Sequence, residues 1–495
     1  MSKQKSVLVA TIGTRDVAFC AASGEWLNIG NAFTTIDNDI SEQVQVQIEL
    51  GLDNSNFRSI TKHLADNWQE YQDRLQPIII GKMVRDYAKE IKQIYLIGTD
   101  QLETVKQRSR DTVYSTHIIQ QWIFNNYQIP TKIILQGSEG GNPADFEQMF
   151  RWWKQTWREE IVPDLKEGTK FLLCLKGGVG SFSEAARISA LSRFGEDSQF
   201  FDFIQDSDRN RQGEASEYTP PAKGTNYLWD RQQQEALALL SRYDYQGVNR
   251  LLRPYYRNVD RSVDNSKLLL QIKSALEAAV VWNQANFAQF AQLQSGTANT
   301  DRHQQWWWTG YEAAYLGLIR YHQDNVVEAL FHSFRAVEGM MSDWAIATYP
   351  NDIITTNSGS GFGKVPMIKR SITQNKGLGQ YINQFQGKSQ IKLTGTDLDD
   401  LVTTARPEYK DYRDIQKFWD VAKKNRNQVF HRLLGMDKSD LFAAWDAFGF
   451  KEWQSRIVGC LNFISGQSYT SLAEASSMSQ VHQTLVKSIS NYQPE

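Results

Sequence analysis

With 495 residues the chain is too long for one ordinary core, and two or three domains are expected. A net charge of −2 excludes a global positive field that would gather nucleic acid, so any such binding must come from a local patch. Cys20, Cys174 and Cys460 are odd in number and far apart, which excludes a disulfide framework and a Cys-rich zinc site and fits a reducing compartment.

The N-terminal "MSKQKSVLVATIG" passes from a few polar residues straight into a strand-like run, without the apolar core of a leader peptide. Nowhere does the chain approach the roughly 18 apolar residues of a membrane span. A cytoplasmic protein with no membrane partner is expected. From residue 6 to about 205, short apolar runs alternate with amphipathic segments. The runs are "SVLVATIG", "PIIIG", "QIYLIG", "TKIILQG", "KFLLCLKGG" and "QFFDFI". Short β-branched runs bounded by glycine read as buried parallel strands. The segments Asp111–Asn126, Pro143–Glu160 and Ser181–Phe194 read as crossover helices, with Pro143 in a first turn and Ser181 as a cap. The fold class is therefore α/β, a doubly wound Rossmann-like sheet, whose ligands would sit beyond the C-terminal strand ends. Those ends carry "GTRD" (Gly13–Asp16), "GTDQ" (Gly98–Gln101), "GSEGGN" (Gly137–Asn142) and "KGGVGS" (Lys176–Ser181).

"QDSDRNRQGEASEYTPPAKGTN" then breaks the pattern with charge, glycine and two prolines, and residues 206–226 read as a linker. Residues 227–495 read as all-α. Within them the Gly- and Ser-rich stretch from Asn351 to about Thr396 looks like a long mobile connection. The expected order is residues 1–205 as an α/β domain, a linker, and a helical region.

Several features have chemical potential. "KGGVGS" can cradle a phosphate, because clustered glycines turn backbone N–H groups toward an anion and Lys176 adds a positive charge. It lacks dinucleotide and Walker spacing, so a tight strand-to-helix turn stands as the equal alternative. The acidic run Asp397–Asp400 lacks EF-hand spacing, and the "WWW" of Trp306–Trp308 reads as core or interface filling. No His, Cys or carboxylate cluster in the helical region has metal-ligand spacing, so no metal is expected.

Three Arg/His pairs compete as a phosphate-handling site: Arg58–His63, Arg110–His117 and Arg426–His431 in "KNRNQVFHRL". The first two lie on segments of crossover-helix character. The third is flanked by Lys417, Lys423, Lys424 and Arg432, and Asn427 follows its arginine. On a helix, Asn427 and His431 share a face, so the amide can orient the imidazole. Arg426 would lie about 140° round from His431, so a helix start or a second chain is needed to bring both onto one phosphate.

The order of motifs carries a resemblance. "GTR" after the first strand, "GTDQ" after a central one, "GNPADF" and "KGGVGSFSEAARISAL" resemble a CARF domain, and the R-N-x-x-x-H motif of the helical region resembles a HEPN ribonuclease domain. "FHSFRAVEGMM", Phe331 to Met341, is similar to an earlier HEPN helix. Together they resemble the CARF–HEPN ancillary ribonucleases of type III CRISPR systems. The resemblance implies a homodimer that binds a cyclic oligoadenylate activator, with cyclic tetra-adenylate favoured, and cleaves single-stranded RNA but not DNA without a metal. It further implies Arg426 and His431 as catalytic, Asn427 as supporting, and Gly13, Thr14, Arg15, Lys176, Gly177, Gly178 and Ser181 as ligand-loop residues. An oligoadenylate sensor with a non-catalytic helical dimerisation or regulatory module remains the alternative.

Overall fold

The computed structural model describes residues 6–34, 40–162, 169–256, 264–294, 300–357, 364–425 and 435–494. Its first strand, β1 (Ser6–Thr11), has Val7, Leu8, Val9 and Ala10 fully buried, which marks a central strand covered on both faces. The strands β2 (Val17–Cys20), β3 (Trp26–Asn28) and β4 (Leu75–Pro77) form a small antiparallel sheet beside it, in the order β3-β2-β4. Next come β5 (Ile91–Thr99), β6 (Thr131–Gln136), β7 (Lys170–Cys174), β8 (Ser198–Phe200), β9 (Phe203–Ile204), β10 (Glu217–Tyr218) and β11 (Ala222–Lys223).

The main sheet runs β11-β8-β7-β1-β5-β6, parallel throughout except for β11. Successive strands move outward from β1 through β5 and β6, then return to its other side at β7. The order therefore reverses between β1 and β7, the switch point at which such sheets open a crevice. The helices Phe57–Asp66 and Val113–Tyr127 bury Ile60, Leu64, Ile118 and Ile123 in one core with Leu8 and Ala10. The helices Phe146–Thr156 and Gly180–Phe194 bury Met149, Trp153, Phe182 and Ala186 in the other, with Val7 and Val9. Helix Phe57–Asp66 starts at a capping box, in which Asn56 accepts from the Ser59 amide and Ser59 Oγ accepts from the Asn56 amide.

Three sequence expectations change. "PIIIG" is no parallel strand: after β4 it turns directly into the helix Gly81–Tyr87, with Ile78, Ile79 and Ile80 buried in the turn. Residues 206–226, expected as a linker, carry a short helix, Ser207–Arg211, followed by β10, which pairs with β9, and β11, which pairs with β8 as the sheet edge. Pro220 and Pro221 fall between β10 and β11, outside both strands, where their missing N–H costs no ladder hydrogen bond. The stretch 351–396 is structured. The strands β12 (Ile353–Asn357), β13 (Lys364–Lys369) and β14 (Gln390–Lys392) form an antiparallel sheet, with residues 358–363 outside the described residues.

The chain divides into two compact units, Met1–Trp229 and Asp230–Glu495. In the second, helices Trp308–His322 and Val326–Thr348 pack as a hairpin, the latter carrying the "FHSFRAVEGMM" stretch. Trp307 and Trp308 are buried in this unit, as core filling requires. Glu312 is fully buried and accepts three hydrogen bonds, from Trp282 Nε1 (2.8 Å), Ser476 Oγ (2.7 Å) and the Ser477 amide (2.6 Å). One carboxylate thus joins helix Asp264–Asn283, helix Trp308–His322 and the start of helix Ser477–Asn491. Among the described residues, no helix is long and apolar enough to cross a membrane. The architecture is a Rossmann-like α/β sheet followed by a helical region.

Candidate functional site

A cavity of about 1140 Å³ opens over the C-terminal ends of β1, β5, β6 and β7. The four loops singled out as strand-end loops all contribute to it, through Gly13–Asp16, Thr99 and Gln101, Gly140–Asn142, and Lys176–Val179. Gly13, Thr14, Arg15, Lys176, Gly177 and Gly178 line this cavity together. Ser181 is not among its lining residues and caps nothing: the helix starts at Gly180 with Val179 as a cap lacking a side-chain bond. Ser183 instead braces the loop, donating from Oγ to the Gly177 carbonyl at 3.2 Å.

The β1 and β7 loops touch closely. Gly177 N donates to Thr11 Oγ1 at 3.0 Å, and a Cβ at Gly177 would lie 2.2 Å from the Thr11 carbonyl oxygen. Only glycine permits that approach. Gly178 has φ +94°, the left-handed region that side chains rarely adopt. Lys176 is exposed, but its Nζ donates to the Phe203 carbonyl at 2.7 Å, so it ties the β7 loop to β9 as well as bringing charge to the rim.

Asp16 is the residue that sequence reasoning passed over. It is 4% exposed, its Oδ2 accepts from the Gly13 amide at 2.6 Å, and it lines the cavity. Burial pushes its carboxyl up to about 7, against a smaller lowering by the Gly13 N–H. Nothing in "GTRD" marks its last residue for burial.

The β5 loop is held by Arg58, which pairs with Asp100 at 2.7 Å and Asp111 at 3.1 Å. Asp111 in turn accepts from the Gln101 amide at 2.6 Å and Gln101 Nε2 at 2.9 Å. Arg58 is therefore committed to a brace, while His63 lies tilted against Tyr71, with ring centroids 5.9 Å apart. Arg110 lines the cavity and His117 is exposed on the following helix. The first rival arginine is thus spent on carboxylates, whereas Arg110 shares the cavity with the strand-end loops.

Arg426, Asn427 and His431 lie outside the described residues. The approach to them is described as far as Asn425. Helix Arg413–Lys417 runs into a π-helical turn, Phe418–Ala422, with Ile415, Phe418 and Ala422 fully buried. Lys417 pairs with Asp446 at 2.7 Å, and Lys423 stands over the Trp419 ring at 4.2 Å. Two of the cations that distinguish this motif by sequence thus have local partners. Among the described residues, no group of three or more His, Cys, Asp or Glu could hold a metal ion.

No protein-family model and no curated protein sequence matches the chain. Among solved structures it is similar to Enterococcus italicus Csm6 bound to cyclic hexa-2'-fluoro-hexa-dAMP, at 12% identity and a TM-score of 0.57, covering 98% of this chain and 100% of that one. The resemblance carried by the order of loops and helices is thus matched in three dimensions, and along almost its whole length the chain has the fold of Csm6.

Proposed function

We propose that this protein is a cyclic-oligoadenylate-activated, metal-independent endoribonuclease that cleaves single-stranded RNA in type III CRISPR antiviral defence. Residues 1–205 would sense the activator, residues 227–495 would cleave, and the working form is a homodimer. The observation that carries this reading is the convergence of four strand-end loops, two of them Gly-rich, on one cavity, in a chain sharing the fold of a protein captured with a cyclic hexa-adenylate analogue. Backbone amides, the Lys176 charge and the uncapped start of helix Gly180–Phe194 suit a polyanion. A two-fold axis would present the same loops twice to a symmetric ring.

The chemistry follows from the substrate. RNA supplies its own nucleophile, the 2′-hydroxyl beside the scissile phosphate. The enzyme needs to position it, move a proton and stabilise the developing charge. His431 would move the proton, Arg426 would neutralise the phosphoryl oxygens, and Asn427 would orient the imidazole. Facing motifs from two protomers would overcome their separation round one helix. Products end in a 2′,3′-cyclic phosphate, and DNA, lacking the hydroxyl, resists.

RNA cleavage assayed with cyclic tetra-adenylate, with cyclic hexa-adenylate and with neither tests this directly. Cleavage is expected only with an activator, and undiminished by EDTA. Equal cleavage in all three conditions would remove the sensing role, and none in any would remove the enzyme.

Asp16 adds a pH dependence. A carboxyl whose pKa is raised from 3.8 to about 7 stays neutral in the folded pocket until about pH 7, and an anionic ligand favours that neutral form. Activator affinity should therefore fall as pH rises through 7, and Asp16→Asn should flatten the profile. Calorimetric titrations at pH 6 and pH 8 check this; an unchanged slope in the variant would absolve Asp16.

A further inference from the structure

The small sheet β12–β14 is set apart by its charge. From Ile353 to Thr396 the sequence holds six lysines and arginines and no aspartate or glutamate, where the chain's average would place about five acidic residues. The register shows how these charges are displayed. Ile353, Ile368 and Ile391 are paired across the three strands and are at most 7% exposed, so they form the inner face. The outer face carries Ile354, Met367 and Lys392 in one cross-strand row and Lys369 with Gln390 in the next. Lys392, Gln390 and the adjoining Arg370 and Lys388 are exposed. The Arg370 amide donates to the Ser389 carbonyl at 2.9 Å, which places Arg370 beside Lys388 at one end of the sheet.

These cations lack the partners that cations elsewhere in this unit find. Lys417 pairs with Asp446 and Lys438 with Asp324, whereas among the described residues no carboxylate lies within ion-pairing distance of Lys369, Arg370, Lys388 or Lys392. Among the described residues, Lys369 Nζ donates to the Asn351 carbonyl at 3.2 Å and to no carboxylate. Asp352, the acidic residue preceding the stretch, spends its carboxylate on Ser371 Oγ and Asn375 Nδ2. Asp397 acts on Lys388 only at longer range. Lysines often guard sheet edges against pairing with other chains. That accounts for Lys392 on the edge strand β14, but not for Lys369 on the central strand or for Arg370 and Lys388 beyond the strands.

We propose that this outer face is a docking surface for the phosphate backbone of single-stranded RNA, holding the substrate outside the catalytic motif. The identity of the polyanion rests on the ribonuclease reading above. The described outer face offers charge and the Gln390 amide but no exposed aromatic ring on which a base could stack, so it would read phosphates and not sequence. Single-stranded DNA of equal length should therefore bind there too, without being cut. Four phosphate contacts would give log affinity a slope of about −3 against log salt, since each contact on a single strand contributes about −0.7.

The test is the quadruple variant Lys369→Gln, Arg370→Gln, Lys388→Gln, Lys392→Gln. Fluorescence anisotropy with a labelled 30-nucleotide RNA, without activator, should show affinity about tenfold weaker or more and a salt slope shallower by about 3. With activator, KM for the 30-mer should rise about tenfold, while kcat and the cleavage of a six-nucleotide RNA stay unchanged. A charge-keeping variant, Lys369→Arg, Lys388→Arg, Lys392→Arg, should bind like the wild type. Wild-type binding and slope in the quadruple variant would overturn the docking surface, as would loss of six-nucleotide cleavage or loss of binding in the charge-keeping variant. Tighter wild-type binding of polyglutamate than of RNA would assign the face to acidic protein and overturn it equally. If the wild type binds the 30-mer through these residues yet never cuts it, the surface stands and the ribonuclease reading falls.

Discussion

His431→Ala is expected to abolish activated RNA cleavage while leaving dimerisation and cyclic-oligoadenylate binding intact. A positioned acid–base group contributes roughly 10²–10⁴-fold to rate, and loss of that order should appear in kcat. Arg426→Ala should behave alike, because it would remove the charge opposing the phosphoryl oxygens. Asn427→Ala should cost less, since the amide only orients the ring. His63→Ala is the internal control. Its ring packs on Tyr71, its neighbour Arg58 is committed to Asp100 and Asp111, and the cleavage rate should hardly move. One assay of both histidine variants at saturating activator decides the matter. An inactive His63→Ala beside an active His431→Ala would place the chemistry in the other unit.

The second large effect is structural. Glu312→Ala leaves the Trp282 indole N–H, the Ser476 hydroxyl and the Ser477 amide unpaired inside the helical unit. Each stranded buried donor costs about 1–3 kcal/mol, and the side chain also leaves a hole. A loss of about 3–5 kcal/mol is expected in denaturant unfolding followed by tryptophan fluorescence. Glu312→Gln keeps the volume and one acceptor and should lose less. A change below about 1 kcal/mol for Glu312→Ala would mean that water replaces the carboxylate.

Much of this was legible in the sequence, for physical reasons that also explain the misses. The runs that became β1, β5, β6 and β7 are apolar, with β-branched residues in the first three, end in or near glycine and are flanked by amphipathic segments, so composition and punctuation agreed. "PIIIG" had the same composition and became a turn, because three buried isoleucines carry no period that separates strand from turn. The 351–396 stretch misled in the opposite direction. Glycine, serine and threonine surround its strands, the inner cross-strand row holds one isoleucine from each, and Lys369, Gln390 and Lys392 interrupt the outer face, so no apolar run stands out. Glycines at Gly13, Gly177 and Gly178 announced the close-packed loops that line the cavity, since close approach and, at Gly178, positive φ demand them. The burial of Asp16 and the brace from Arg58 to Asp111 depend on contacts between distant segments, which local pattern cannot show.

The strand order also bears on how the α/β unit is made. β1 closes its ladder on β5 and β7, so Thr11 meets Gly177 across 166 residues of sequence. At synthesis rates of about 5–20 residues per second, the apolar strand waits on the order of 10–30 s for its second neighbour to leave the ribosome. The β1 and β7 loops that would clasp the activator therefore meet only after β5 and β6 have been made, with β8 and β11 still to be added at the edge beyond β7. During that interval "SVLVAT", with four apolar residues at its centre, has one edge without its strand partner, a template for wrong pairing.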